Sequence, residues 1–339
     1  MSDPQITLRD VARYFDVSPP WLNRVLEREP RVLLKAVDGV SFSIARGETL
    51  GLVGESGCGK STVARLVVGL YAPTRGTIDY DGARVAGPGT SHTRSTRNGM
   101  QMIFQDPYAS LNPRWRVVDI VAEPVRVANA SIGAGEIARR VARALEQVGL
   151  ASADGEKFPH QFSGGQRQRI SIARALAGEP KFLVCDEPTS ALDVSVQAQV
   201  LNLMRDLQRN LSLTYLFISH NLAVVRYLAH RVGVMYLGRM VELGDAKRLF
   251  HSPRHPYTRM LLDSVPDLAL VGKARAAVAG EVPNPLDPPS GCTFHPRCPY
   301  ANERCRSEVP EFVRLANDLE VACHGVVEGR VPSAARVGA

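Results

Sequence analysis

Gly54-Glu55-Ser56-Gly57-Cys58-Gly59-Lys60-Ser61-Thr62 constrains this chain more than any other stretch. It fits G-x-x-x-x-G-K-[ST], a loop that cradles phosphates. Gly54, Gly57 and Gly59 lack the Cβ that would block close backbone approach to a triphosphate. Successive amides and the start of the following helix supply positive potential. Lys60 reaches the terminal phosphates, and the Ser61 hydroxyl ligates Mg²⁺. The context agrees: residues 48–53 read as a buried strand entering the loop, and residues 63–68 as the helix leaving it, with Gly69 as its stop.

Phe182-Leu183-Val184-Cys185-Asp186-Glu187 is a continuous apolar run ending in two acids. Such runs are buried parallel strands whose carboxyl ends carry ligand chemistry. Asp186 is the candidate Mg²⁺ residue. Glu187 is the candidate general base that polarises the attacking water. Ser163-Gly164-Gly165-Gln166 forms a second anion-binding helix start, with Ser163 as N-cap and helical pattern through Ala177. One nucleotide does not need two cradles from one chain, so this one is expected to serve a nucleotide held by another subunit.

At this point the sequence resembles the ATP-binding cassette (ABC) family, whose signature motif the Ser163 segment matches. The other cassette motifs follow in order over roughly residues 5–245. Gln105 matches the Q-loop glutamine, which senses Mg²⁺ and the transmembrane partner. Ser190-Ala191-Leu192-Asp193 matches the D-loop, and His220 the switch histidine that contacts the γ-phosphate. Leu8 to Phe15 matches the first strand, with Phe15 chosen to stack on adenine and Tyr14 as its rival. The resemblance implies ATP and Mg²⁺ (through Ser61, Gln105 and Asp186), hydrolysis to ADP and phosphate, and two ATPase subunits sandwiching two nucleotides.

The tail narrows the resemblance to the oligopeptide/dipeptide permease ATPases. Residues 251–262 and 105–114 look like that subfamily, and so do Gly291-Cys292-Thr293-Phe294, Arg297-Cys298-Pro299, Cys305 and Ala322-Cys323-His324. The implied partners are a second ATPase subunit (often a related but different chain), two transmembrane permease subunits and an extracytoplasmic solute-binding protein. Relatives handle peptides, nickel, glutathione or oligosaccharides. The expected place is the cytoplasmic face of the cell membrane, bound peripherally.

Four of the six cysteines fall in this tail, spaced C-x5-C-x6-C-x17-C. Metal is a better reading than disulfides for such a cluster in a cytosolic chain. The tight C-x2–4-C pairs of zinc sites are missing, so a [4Fe–4S] cluster on Cys292, Cys298, Cys305 and Cys323 is expected, with zinc or reduced structural thiols as alternatives. His295, Arg297, Arg304 and Arg306 would offset its charge. The Pro-rich run 282–291 reads as a linker that separates this site from the nucleotide. Cys58 and Cys185 read as small buried residues.

The expected fold is α/β: a P-loop nucleotide-binding core with an antiparallel β subdomain, an inserted helical subdomain and a small C-terminal cysteine-bearing extension. The expected boundaries are 1–250 for the nucleotide-binding domain, with the helical subdomain at about 106–178, and 251–339 for the extension. Ile137, Val141, Leu145 and Val148 fall at helical spacing, as do Val196, Val200, Leu203, Met204 and Leu207. Ser18-Pro19-Pro20 is a candidate helix opening for Trp21, Leu22, Val25 and Leu26. No run is long enough to span a bilayer and no signal segment opens the chain. The net charge of +7, with basic clusters at 24–35 and 94–97, reads mostly as solvated faces and does not argue for nucleic acid. Two other classes stay open: a soluble cassette ATPase acting on nucleic acid or ribosomes, and a redox-sensing regulator.

Overall fold

A computed structural model describes residues 3–21, 24, 30–87, 99–264, 280–315 and 319–332. The described residues form twelve strands, numbered in chain order. The first five are β1 (Pro4–Asp16), β2 (Leu33–Ala45), β3 (Thr49–Val53), β4 (Arg75–Tyr80) and β5 (Ala83–Ala86). They are followed by β6 (Met100–Ile103), β7 (Phe182–Asp186), β8 (Thr214–Ile218), β9 (Arg231–Tyr236) and β10 (Arg239–Asp245). The two-residue strands β11 (Val313–Arg314) and β12 (Glu320–Val321) come last. They form two sheets, a four-stranded one ordered β2-β1-β4-β5 and an eight-stranded one ordered β11-β12-β10-β9-β3-β8-β7-β6.

The smaller sheet is antiparallel throughout. The centre of the larger one is parallel, from β9 through β3, β8 and β7 to β6. Its middle strands β3, β7 and β8 are buried at every position, because both faces are covered. The period of two is visible in what each face touches. Phe182, Val184, Leu216 and Ile218 join the apolar cluster shared with the antiparallel sheet. Leu183, Cys185, Tyr215 and Phe217 join the cluster shared with the helices.

The helix α1 (Lys60–Val67) leaves β3. Between β6 and β7 come α2 (Pro107–Ser110), α3 (Val117–Ala128), α4 (Ala134–Gln147) and α5 (Gly164–Ala177). α4 buries Val141 and Leu145, as their spacing predicts. α6 (Val194–Leu211) follows β7 and buries Val200, Met204 and Leu207. Most of the segment expected to open at Ser18 lies outside the described residues, as does 94–97; Trp21 is 73% exposed. Among the described residues no helix is long and apolar enough to cross a membrane.

The C-terminal region is not set apart from the core. β12 pairs with β10, Glu242 opposite Val321, so the tail extends the central sheet. Its own apolar cluster is small: Val321, Cys323 and Val331, with Tyr300, Val313, Leu315 and Val326 packed against it.

Candidate nucleotide site

The phosphate loop joins β3 to α1. A Cβ on Gly59 would fall 2.2 Å from the Ala36 carbonyl oxygen, and its φ is 104°, so only glycine fits. Gly54 is held in the same way, 2.2 Å from the Met235 oxygen. Lys60 Nζ donates to the carbonyls of Gly54 (2.8 Å) and Glu55 (2.9 Å). α1 has no side-chain cap, which leaves its first amides facing the loop. Cys58 is buried beside Lys60, and burial pushes its thiol pKa up.

Ser61 Oγ donates to Asp186 Oδ1 at 3.0 Å, joining the helix start to the end of β7. Asp186 is buried, and desolvation raises its carboxyl pKa; the neighbouring charge of Glu187 adds to this. A hydroxyl and a carboxylate are hard oxygen donors, which suits Mg²⁺. Glu187 sits one residue further at φ 47°, a backbone conformation that costs energy in a residue with a Cβ. Its amide donates to the Ile218 carbonyl at 3.0 Å. Its Oε2 lies 3.0 Å from His220 Nδ1 and accepts from Gln105 Nε2 at 3.2 Å. Three strand ends, β6, β7 and β8, thus converge on one carboxylate.

Gln105, Glu187 and His220 line one cleft of about 960 Å³, together with Phe15, Ser56, Gly57, Gly59, Lys60, Ser61 and Thr62. Phe15 meets the edge of Tyr71 (ring centroids 5.3 Å apart). Tyr14, by contrast, donates its hydroxyl to Asp38 at 2.5 Å. Phe15 is therefore the aromatic of the pair that faces the cleft.

Ser163, Gly164, Gly165 and Gln166 are not among the residues lining it. Ser163 Oγ accepts from the Gln166 amide at 3.3 Å, and Gln166 Oε1 accepts from the Ser163 amide at 3.0 Å. This reciprocal pair is a capping box. A Cβ on Gly165 would lie 2.4 Å from Val196 Cγ1, so α5 packs against α6 only with glycine there. Asp193 stands at the N-cap of α6 without a side-chain cap bond.

Sequence reasoning missed one whole wall. Pro285, Pro288, Pro289, Ser290, Gly291, Thr293 and Val309 line the same cleft. Arg297 forms a bidentate pair with Glu55, at 2.8 and 3.0 Å. The expectation that residues 282–291 separate the tail from the nucleotide is therefore corrected. The only signal in the sequence was one acid inside the loop and one arginine beside Cys298, with nothing to relate them.

Cys292, Cys298, Cys305 and Cys323 are free thiols, Cys305 and Cys323 being buried. Burial pushes Cys292 up to about 12 and Cys298 up to about 11, and raises Cys323; the other thiols of the set add to each shift. The four thus share one neighbourhood. Yet among the described residues no group of three or more His, Cys, Asp or Glu is arranged to hold a metal ion. The expected cationic surroundings also differ. Arg297 is spent on Glu55, Arg304 on Glu308 and Glu328, and Arg306 on Glu303. Arg330, not singled out from the sequence, approaches Cys305 Sγ at 3.7 Å.

Comparison with known proteins gives a consistent result. The ABC transporter family model matches residues 37–190, and the model for the C-terminal region of oligopeptide/dipeptide transporters matches 241–305. The chain is 50% identical to the di/tripeptide transport ATP-binding protein DppF of Pseudomonas aeruginosa over 320 residues, 94% of this chain and 97% of that one. It is 49% identical to the oligopeptide transport ATP-binding protein AppF of Bacillus subtilis, over 94% and 96% of the two chains. Among solved structures, CbiO1 of Clostridium perfringens, part of the ABC transporter complex CbiONQ, superposes with a TM-score of 0.60 at 27% identity, over 74% of this chain and 91% of that one. The P-loop α/β core with its antiparallel sheet is the fold shared with such ATPases. This chain belongs to the ABC transporter family, among the ATP-binding proteins of the oligopeptide/dipeptide type.

Proposed function

We propose that this chain is the ATP-hydrolysing subunit of a peptide importer. It would lie peripherally on the cytoplasmic face of the membrane, against two permease subunits served by an extracytoplasmic solute-binding protein. The observation that carries the reading is the convergence of Gln105, Glu187 and His220 opposite the Lys60–Ser61 cradle in one cleft. Phe15 holds adenine, and the loop from Gly54 to Thr62 holds the phosphates. Glu187 orients the attacking water and takes its proton, while His220 and Gln105 fix that carboxylate's direction. Ser61, Asp186 and Gln105 would hold Mg²⁺, which would supply charge neutralisation on the phosphates. Ser163–Gln166 and Asp193 serve the site of a second ATPase subunit. Residues 1–250 form the nucleotide-binding domain, 106–178 its helical part and 251–339 the extension.

We also assign a [4Fe–4S] cluster, with zinc as the alternative, to Cys292, Cys298, Cys305 and Cys323. The donor chemistry supports it: four soft, unpaired thiols that sense one another within a lobe with little apolar core of its own. Protein purified without oxygen should contain about four irons per chain, and Cys298→Ser should lose them. One zinc and no iron would assign the site to zinc.

The transport reading is tested in vesicles carrying the full complex. ATP hydrolysis should rise when peptide-loaded binding protein is added on the outer side, and labelled peptide should accumulate. Hydrolysis that ignores the loaded binding protein, with no peptide uptake, would refute it.

A further inference from the structure

We propose that the four-cysteine lobe is a positioning element of the nucleotide site, acting through Arg297 on Glu55 of the phosphate loop. The inference rests on the ATPase reading above and concerns the control of that same site.

Glu55 is held at three atoms by residues beyond 250. Its amide donates to the Tyr257 hydroxyl at 2.9 Å, and its carboxylate accepts from Arg297 Nη1 at 2.8 Å and Nη2 at 3.0 Å. On the other side, the Glu55 carbonyl accepts from Lys60 Nζ at 2.9 Å. Glu55 therefore lies between the lobe and the lysine that meets the phosphates.

Arg297 is well placed to transmit a constraint. Its side chain is only 2% exposed. Its guanidinium lies 5.7 Å from the Tyr236 ring and 5.8 Å from the Phe294 ring. Tyr236, Tyr257 and Phe294 pack in tilted and edge-on contacts with centroids 4.6 to 5.4 Å apart, and all three are buried. Arg297 also directly precedes Cys298, at the end of the short helical turn His295–Arg297. A shift of the turn that Cys298 caps would therefore move the guanidinium. A planar, bidentate pair fixes the orientation of the carboxylate as well as its distance, which an ammonium cannot do. Removing Glu55 leaves the buried Arg297 charge uncompensated, and removing Arg297 frees the partly exposed Glu55 carboxylate, and the loop that carries it, to reorient. Gln105, Glu187 and His220 come from other strands, so the chemical step is affected less than nucleotide binding.

The test uses the intact reconstituted transporter, measuring KM and kcat for ATP. Arg297→Met should raise KM about tenfold, within the range of coupling between contacting residues, with kcat changed by less than about threefold. Arg297→Lys should restore only part of the affinity. Glu55→Gln should raise KM as Arg297→Met does, and the double variant should be no worse than either single one. Arg314→Gln, in an exposed pair with Glu320 on the same lobe, should leave KM unchanged. Unchanged KM in Arg297→Met or Glu55→Gln, full rescue by lysine, or additive effects in the double variant would overturn the proposal. A wild-type transporter that fails to hydrolyse ATP would refute the ATPase reading instead. If Arg297→Met does not fold, Glu55→Gln and Arg297→Lys decide the matter alone.

Discussion

Two helices of this chain start on glycine-rich turns, and they are built in opposite ways. α1 starts behind Gly59 in a left-handed conformation, without a side-chain cap, at the floor of a cleft walled by the chain's own residues. α5 starts behind Ser163 in extended conformation, and its first turn is closed by bonds in both directions between Ser163 and Gln166. None of its opening residues lines the cleft. An open helix start inside a walled cleft is a complete phosphate seat. A capped start on an outer face is self-sufficient until something is brought to it. On the proposal that Ser163–Gln166 serve a second subunit's nucleotide, one seat works within the chain and the other across subunits.

The largest expected effect breaks the second seat alone. Ser163→Arg should abolish ATP-driven dimer closure, followed by gel filtration or scattering, because a bulky cation then occupies the meeting face. Nucleotide binding by the isolated subunit should be nearly unchanged. Equal loss of affinity in the isolated subunit would mean that both helix starts serve the same nucleotide.

Next comes the chemistry opposite α1. Glu187→Gln should keep ATP binding and lower turnover by roughly 10²–10⁴-fold, the usual contribution of a positioned general base. His220 and Gln105 would then bracket an amide that cannot take the proton. Turnover at the wild-type rate would show that the residue held between them is not the base.

Asp186 gives a smaller effect with a defined sign. Burial, reinforced by Glu187, raises its pKa in the folded state. A raised carboxyl pKa favours the folded state fully below the unfolded value of about 4, and that advantage is lost as pH rises through the folded value. As pH rises past the unfolded value, the buried carboxyl thus weakens the metal-free protein. Asp186→Asn should raise the melting temperature without nucleotide by roughly 1–4 °C at pH 7, with the gap closing toward pH 4. Mg²⁺-dependent hydrolysis should be lost. A variant that melts lower than wild type at pH 7 would show that the Ser61 bond outweighs the burial.

How much of this was legible in the sequence depends on range. β3 and β7 are apolar but for Thr49 and Asp186 at their ends, because both their faces are covered, and such runs are visible locally. The loop glycines and the α5 start were equally plain, since their roles come from backbone shape. The contact between Glu55 and Arg297 spans 242 positions, and neither residue belongs to a periodic pattern that points to the other. β11 and β12 have two residues each, too few for any alternation to show. The proline run misled for a related reason. Proline is common both in linkers and in rigid walls, and only its neighbours in space distinguish the two.

The smallest effect concerns the cap that sets α5 apart from α1. Gln166→Ala removes the acceptor for the Ser163 amide while leaving the serine cap on the Gln166 amide intact. The cost should be roughly 0.5–1 kcal/mol, at the low end of the capping range because the Ser163 hydroxyl still caps the Gln166 amide. In a chain of this size that is a melting shift of about 1–3 °C. Ser163→Ala should cost somewhat more, because it leaves the Gln166 amide without its partner. α1 has no such bond to lose, so ATP affinity in the isolated subunit should not change in either variant. A fall in that affinity alongside the small stability loss would tie α5 to the chain's own nucleotide and dissolve the distinction between the two seats.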